Sequence, residues 1–284
     1  MLTKKRARPI LALSIIVIIF QLFGSLVFAA IQPLPAVVPC AEPKAAENYV
    51  YDEYFVINPQ NIIIESVKAN INLLDFKHIK KTFPLPAEKY NRQKHFGGWI
   101  HFANDGTCFD TRGIVLERDS LSTVDISNCR IIGGDWFDHY TDKNYRSSSD
   151  IQIDHVVALK HTYMTGGFEW NNKKRCQYAN HLGNKFHLLS VNGSENMRKG
   201  DRGPHEYMPP NQKYACDYIK NWLYIKYIWE LRLTPTEARS IQTMVANEHC
   251  DINNFKIADS EMIDQKKYIK DNENICVGAA LTAF

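Results

Sequence analysis

The dipeptide Asp154-His155 lies in an apolar stretch, DIQIDHVV, and is followed by the polar-rich segment GNKFHLLSVNGSENMRKGD at residues 183–201. A carboxylate can bind a hard divalent cation, and a neighbouring imidazole can take a proton from water near neutral pH. Hydrolysis of a phosphodiester needs both functions, a cation for the growing charge on the phosphate and a base for the attacking water. The pairing therefore predicts phosphodiester cleavage.

Further side chains in this segment could complete such a site. The amide oxygen of Asn196 can be a second, neutral ligand beside Asp154. A backbone carbonyl or side-chain amide must fix the tautomer of His155, and the nearby candidates are Asn184 and His187. A histidine in a strand is as often a core residue as a site member, so both interpretations of His187 stay open. The predicted contacts to a phosphate backbone are Lys199, Arg198 and Arg202.

Two short strands and a helix are predicted to position these residues. Alternation of Ile151 and Ile153 predicts a strand at 151–157, with Asp154 pointing away from the apolar face. The run FHLLSV at 186–191 predicts a second strand. Ser194 can cap a helix that begins at Glu195 and stops at Gly200. The predicted order along the chain is a strand, an excursion that contains a helix, a second strand and a second helix.

The remaining pattern predicts an α+β fold. A short helix is expected at 111–120, and a hairpin with its turn at Gly133-Gly134 is expected within SNCRIIGGDWFDHYTD. Further helices are predicted at 169–182, at 212–232 and from Thr234 to about residue 249. The helix at 212–232 should bury one stripe of large side chains, namely Tyr218, Trp222, Ile225 and Trp229.

The N-terminus reads as an export segment. Four basic residues precede an uncharged apolar run at 10–30, and Val27 and Ala29 fit a cleavage site after Ala29. The run is also about long enough to serve as an uncleaved anchor in an inner membrane. The expected location is therefore secreted or periplasmic, with membrane anchoring as the alternative. The expected organisation is leader 1–29, linker 30–47, extension 48–89, main domain 90–250 and tail 251–284.

Seven cysteines lie beyond the predicted cleavage site, which implies disulfides in an oxidising compartment. The odd number leaves at least one cysteine unpaired or intermolecular. The predicted pairs are Cys108 with Cys129 and Cys216 with Cys250. The formal net charge of +3 is compatible with a nucleic-acid partner but is too small to indicate one alone.

Several longer motifs resemble the HNH endonucleases, also called His-Me finger or ββα-metal nucleases. The similarity is greatest to a secreted branch related to the C-terminal domain of the GmrSD restriction enzymes, and it covers about residues 90 to 250. The motifs include FGGWIHFANDGTCFDTRGIVLERDS, CRIIGGDWFDHYTDKNY, DIQIDHVVALKHTY, FEWNNKKRCQYAN, LLSVNGSENMRKGDRGPHEYMPP and CDYIKNWLYIKYIWELRLTPTE. One departure is Ala158, where many members have Pro.

The resemblance implies a ββα-metal finger embedded among helices. It implies that His155 is the general base and that Asp154 and Asn196 are metal ligands. The orienting residue is expected just before LLSV, which is His187, with Asn184 as the alternative. The implied ion is magnesium, with manganese, nickel or zinc also used in the family.

The expected function is a secreted, metal-dependent endonuclease that is not sequence-specific and acts on DNA, with RNA as an alternative. A ribonuclease or a toxin nuclease is the nearest rival enzyme. A rival of another class is a membrane-tethered nucleic-acid-binding protein with a degenerate site. The sequence does not indicate an inhibitor partner.

Overall fold

The part of the chain described by the computed structural model comprises residues 52–65, 68–101, 106–278 and 281–282. The predicted leader, the linker and Cys40 lie outside these residues. No helix within the described ranges is long and apolar enough to cross a membrane.

The described residues form a mixed structure, which confirms the predicted α+β class. The helices are α1 (Arg92–Phe96), α2 (Thr111–Asp119), α3 (Leu159–Met164), α4 (Asn172–Ala179), α5 (Gly193–Lys199), α6 (Ala215–Ile228), α7 (Pro235–Asn247) and α8 (Asp259–Asp271). The strands are β1 (Tyr54–Ile57), β2 (Ile62–Glu65), β3 (Lys68–Asn72), β4 (Phe76–Ile79), β5 (Trp99–Ile100), β6 (Asp125–Ser127), β7 (Arg130–Asp138), β8 (Lys143–Ser147), β9 (Ile151–His155), β10 (Leu188–Asn192), β11 (Lys256–Ala258) and β12 (Leu281–Thr282).

Within the described ranges the strands form small antiparallel sheets: β1 with β4, β2-β3-β11, β5 with β12, β6-β7-β8, and β9 with β10. In the last of these, His155 lies opposite Leu188 and Ile151 lies opposite Asn192. Helix α5 follows β10 directly, and α3 and α4 lie in the excursion between the two strands. The predicted order around Asp154 and His155 is therefore present. Helix α5 begins at Gly193 with Asn192 as its cap, however, and not at Glu195 with Ser194 as its cap.

Strand β9 ends at His155, two residues before its predicted end, and both of its faces are covered. Ile151 and Ile153 are buried as expected, and Asp154 and His155 are only 3% and 5% exposed. The Asp154 carboxylate is covered by Lys199 of helix α5 and by the loop that carries Tyr140. Alternation predicts which side chains share a face, but it does not predict whether another element covers the second face.

The predicted hairpin forms, but its turn is displaced. Strand β7 runs without a break through Gly133 and Gly134, and the turn lies at Asn128 and Cys129, which have φ of 48° and 60°. A Cβ at Gly134 would approach the Trp136 ring to 2.8 Å, so this glycine permits close packing within the strand. The double glycine was therefore a misleading turn signal.

Two predicted helices are shorter than expected. The segment at 169–182 contributes α4, which begins after the Asn171 cap, and a preceding turn of 3₁₀ helix at Gly167–Glu169. The segment at 212–232 divides into a 3₁₀ turn at Gln212–Tyr214 and helix α6. The four residues of the predicted stripe are fully buried. The capping box of Thr234 and Glu237 at the start of α7 is present.

The extension and the tail are joined through a shared sheet, since β11 pairs with β3. The described residues from 52 onwards belong to one compact unit. The domain boundaries at residues 90 and 250 remain predictions about which part of the chain carries the function. The tail at 251–284, to which the sequence assigned no structure, contributes both β11 and α8.

Three disulfides crosslink the described residues. Cys108–Cys129 and Cys216–Cys250 confirm the predicted pairs. Cys176–Cys276 was not predicted, and it ties α4 to the tail across 100 residues of chain.

The disulfide with the longest loop should contribute most to stability. Chain entropy gives about 4.7 kcal/mol for a loop of 100 residues and about 3.3 kcal/mol for one of 21. We expect the Cys176→Ser/Cys276→Ser variant to lose more unfolding free energy in urea than the matched Cys108→Ser/Cys129→Ser variant. Equal losses, or the reverse order, would contradict this ranking.

Candidate active site

His155, the last residue of β9, is held by a backbone group. Its Nε2 lies 2.9 Å from the carbonyl oxygen of Ala179. A carbonyl only accepts, so Nε2 carries the proton and Nδ1 carries the lone pair. The ring also stacks on Trp99, with centroids 5.3 Å apart and an interplanar angle of 5°. Burial lowers the pKa of His155 to about 3, so the ring is neutral at physiological pH.

Asp154 is the centre of a buried polar cluster. Its Oδ1 accepts from Lys199 Nζ at 2.8 Å, and its Oδ2 accepts from the Tyr140 hydroxyl at 2.6 Å. Lys199 Nζ also donates to the carbonyl oxygen of His155 at 3.0 Å. Burial raises the pKa of Asp154, while Lys199 and Tyr140 oppose that shift by stabilising the carboxylate.

This arrangement corrects the expected place of Lys199. Its side chain is fully buried and forms an ion pair with Asp154, so it does not lie where a phosphate backbone could reach it. The sequence predicted correctly that Lys199 lies at the end of α5. Whether its side chain points to solvent or into the core depends on tertiary packing. Arg198 and Arg202, on the same segment, are exposed and remain candidates for phosphate contact.

The charge of Arg198 is partly compensated. Its guanidinium forms an ion pair with Glu195 at 2.6 Å and lies over the ring of Tyr207. At the rim of the site Lys160 forms a similar pair with Asp201 at 2.6 Å. These contacts orient the cations but weaken their attraction for an anion.

Asn196 on α5 is oriented by one neighbour. Its Nδ2 donates to Gln152 Oε1 at 2.9 Å, which leaves Oδ1 as the acceptor that can bind a cation. Gln152 precedes Asp154 by two positions on β9, so the strand presents both residues on the same side. The start of α5 packs closely here, since a Cβ at Gly193 would lie 3.3 Å from Gln152.

The predicted metal ligands and the predicted base line one cavity of about 320 Å³. The cavity also has a wall that sequence reasoning did not include, formed by Tyr90 and Arg92. Its other lining residues are Gln152, Ile153, Ala158, Leu159, Lys160, Met197, Gly200 and Asp201. The structure thus brings Asp154, His155 and Asn196 together.

The donor atoms at this cavity suit a hard cation. Asn196 offers its oriented amide oxygen, and each oxygen of Asp154 has a second acceptor site beyond the hydrogen bond it already makes. Oxygen donors of this kind suit magnesium or manganese better than zinc or nickel. Within the described ranges no group of three His, Cys, Asp or Glu residues could hold a metal ion. An ion here would therefore take most of its ligands from water and phosphate.

The two candidates for orienting His155 have other contacts. His187 is buried, and its Nε2 donates to the Tyr178 carbonyl oxygen at 2.9 Å. Its ring centroid lies 6.5 Å from that of His155. Asn184 accepts from the backbone N–H groups of Phe186 and His187, which shapes the loop before β10. A hydrogen bond that does orient the His155 ring is the one to the Ala179 carbonyl oxygen, a backbone contact without a sequence signature.

The central part of the chain matches a known protein family. A model described as GmrSD restriction endonucleases, C-terminal domain, matches residues 116–243. An uncharacterized secreted protein of Arthroderma benhamiae is 35% identical over 160 residues, which are 56% of this chain and 76% of that relative. The chain belongs to the family of the GmrSD C-terminal domain. No solved structure matches it.

The GmrSD C-terminal domain is of the nuclease type, so a nucleic acid is the implied substrate. The matched segment contains Asp154, His155, Asn196 and Lys199. The HNH roles of these residues remain predictions. Tyr90, Arg92 and Trp99, which contribute to the same site, lie outside the matched segment.

Removing the ammonium of Lys199 should destabilise the fold, because it leaves the carboxylate of Asp154 buried without its partner. For Lys199→Met we expect the unfolding free energy in urea to fall by about 3–5 kcal/mol. The double variant Lys199→Met/Asp154→Asn should recover part of this loss. Unchanged stability of the single variant would show that the ion pair is not a structural requirement.

Acid should weaken the fold through its buried neutral histidines. Burial lowers the pKa of His181 to about 4 from 6.5. As pH falls, the unfolded chain therefore takes up a proton on this residue before the folded chain does. The free energy of unfolding should decrease between about pH 6.5 and about pH 4, and His181 should account for about 3 kcal/mol of the decrease at most. His181→Gln should flatten the fall in unfolding free energy over this range. The same change at the exposed His139 should leave the fall unaltered.

Proposed function

We propose that this protein is an exported, metal-dependent endonuclease that hydrolyses phosphodiester bonds, with DNA as its first candidate substrate. The observation that carries the proposal is the cavity in which His155, in a tautomer set by Ala179, lies beside Asp154 and Asn196. The family assignment supports the nuclease class, and the geometry supports the roles within it.

His155 would act as the general base through Nδ1. Because Nε2–H is committed to the Ala179 carbonyl, the remaining nitrogen has the lone pair that can accept a proton from water. The low pKa keeps this nitrogen unprotonated, but it also makes the ring a weak base. A phosphate that enters the cavity brings negative charge, which favours the imidazolium form and strengthens the base when substrate is present.

Asn196 and Asp154 would hold the cation. The chemistry that a divalent ion supplies when bound is neutralisation of charge on the phosphate and on the leaving oxygen. Gln152 keeps the Asn196 amide oxygen available for it, and Lys199 keeps Asp154 ionised in its buried position. The Tyr140 hydroxyl restrains the second carboxylate oxygen.

Binding of nucleic acid would be nonspecific. Arg198 and Arg202 are exposed at the end of α5, next to the cavity residues Asn196 and Met197, and can contact backbone phosphates. Backbone contacts carry no sequence information and make affinity depend steeply on salt.

Export is supported by two observations. The relative in Arthroderma benhamiae has the name of a secreted protein, and the described part of the chain contains three disulfides. Disulfides persist in oxidising compartments. We infer that the chain works outside the cytosol.

Substitution of His155 by Ala should abolish nicking of supercoiled plasmid DNA by the protein in magnesium. The variant loses the proton acceptor but keeps the cationic surface, so plasmid binding in a gel-shift assay should persist. Chelation should abolish nicking by the unmodified protein, and manganese should restore it better than zinc.

A second variant, Gln152→Ala, tests the predicted metal site because it removes the group that orients Asn196. It should lower cleavage and raise the magnesium concentration needed for half-maximal rate. If the unmodified protein binds but cleaves neither plasmid nor RNA with any of these ions, the chain is a binding protein with a degenerate site.

A further inference from the structure

Arg92 forms part of the active-site cavity although it lies far from the catalytic motif in sequence. It is the first residue of α1, its side chain is exposed, and it lines the same cavity as Asp154, His155 and Asn196. The cavity lining thus contains a cationic side chain together with the predicted general base.

The position of Arg92 is set by contacts between its segment and the site. Asn91 caps α1 by accepting from Lys94 N–H at 2.7 Å. The end of α1 is held by Arg175, whose Nε donates to the His95 carbonyl oxygen at 3.0 Å. Because Arg175 belongs to α4, the helix that orients His155 also anchors the helix that carries Arg92.

A second set of contacts fixes the chain just after α1. The side chain of Asn180 donates to the Gly98 carbonyl oxygen and accepts from the Ile100 N–H, both at 3.1 Å. Asn180 directly follows Ala179, whose carbonyl holds His155, and Trp99 between the two contacts stacks on the His155 ring. The segment at 91–100 and His155 are thus held by one connected set of contacts.

We propose that Arg92 binds a phosphate group of the nucleic acid in the active-site cavity that it lines together with Asn196. This inference rests on the proposed nuclease function and adds a substrate contact that lies outside the segment matched by the family model. A guanidinium can donate two parallel hydrogen bonds to phosphate oxygens, which holds the group in a defined orientation. Arg92 would then position the phosphate for water activated by His155 and offset the charge that develops during attack.

The test compares Arg92→Gln and Arg92→Lys with Arg239→Gln, a matched loss of one charge at an exposed arginine on α7. Cleavage of plasmid in magnesium gives kcat and KM. Binding of a short fluorescein-labelled DNA duplex in EDTA, followed by anisotropy over a salt series, reports the phosphate contact without any cleavage. Thermal unfolding checks that each variant is folded.

For Arg92→Gln we expect kcat/KM about 100-fold lower. The slope of log Kd against log salt should decrease by about 1, as for loss of one phosphate contact. Arg92→Lys should have the salt slope of the unmodified protein but only part of its kcat/KM, since lysine keeps the charge and cannot donate the two parallel hydrogen bonds. Arg239→Gln should match the unmodified protein in both assays.

The two assays separate the possible failures. If the unmodified protein cleaves DNA and Arg92→Gln behaves like Arg239→Gln, the role of Arg92 is overturned and the nuclease function stands. If nothing cleaves but the salt slope in EDTA still changes with Arg92→Gln, the nuclease function is overturned and the phosphate contact stands. An unmodified protein that neither cleaves nor binds DNA overturns both.

Discussion

The buried ion pair between Lys199 and Asp154 is the interaction on which the site depends. It joins the end of α5 to the end of β9, and the Tyr140 hydroxyl adds a third element from just beyond β7. Burial of two charges is tolerated because each has partners at hydrogen-bond distance, including the His155 carbonyl oxygen for the ammonium. The pair therefore opposes the effect of burial on the pKa of the Asp154 carboxyl and joins the helix to the strand, whose residues Asn196 and His155 line the same cavity.

Helix α4 orients the other half of the site through its last carbonyl groups. The C-terminal carbonyls of a helix lack partners within the helix, so they are available to side chains. His187 uses the carbonyl of Tyr178 and His155 uses that of Ala179. The same helix binds the segment that carries Arg92 through Arg175, and it is tied to the tail by Cys176. One short helix thus contacts His155, the segment that carries Arg92 and the C-terminal region.

The outcome of individual predictions shows where sequence patterns are informative. The Asp154-His155 pair, the second strand and the polar helix were found because their patterns are local. The predicted cap of that helix was wrong, since the side chain of Asn192, not Ser194, accepts from the Glu195 N–H. The turn at Gly133-Gly134 was wrong, since those glycines serve close packing against Trp136 instead of chain reversal. Lys199 was expected at a phosphate backbone, but its side chain turns into the core and is fully buried, whereas the neighbouring Arg198 is exposed.

The sequence by itself determined the fold class, two of the disulfides and the order of elements around the site, and it predicts the residues that supply the chemistry. Those features follow from local pattern, residue type and motif. Tertiary structure decided that Asp154 is paired with Lys199, that a backbone carbonyl orients His155, and that Arg92 enters the cavity. Each of these depends on groups that are distant in the chain or belong to the backbone. A local sequence pattern cannot predict a contact between distant residues, and a backbone carbonyl is the same whatever the side chain.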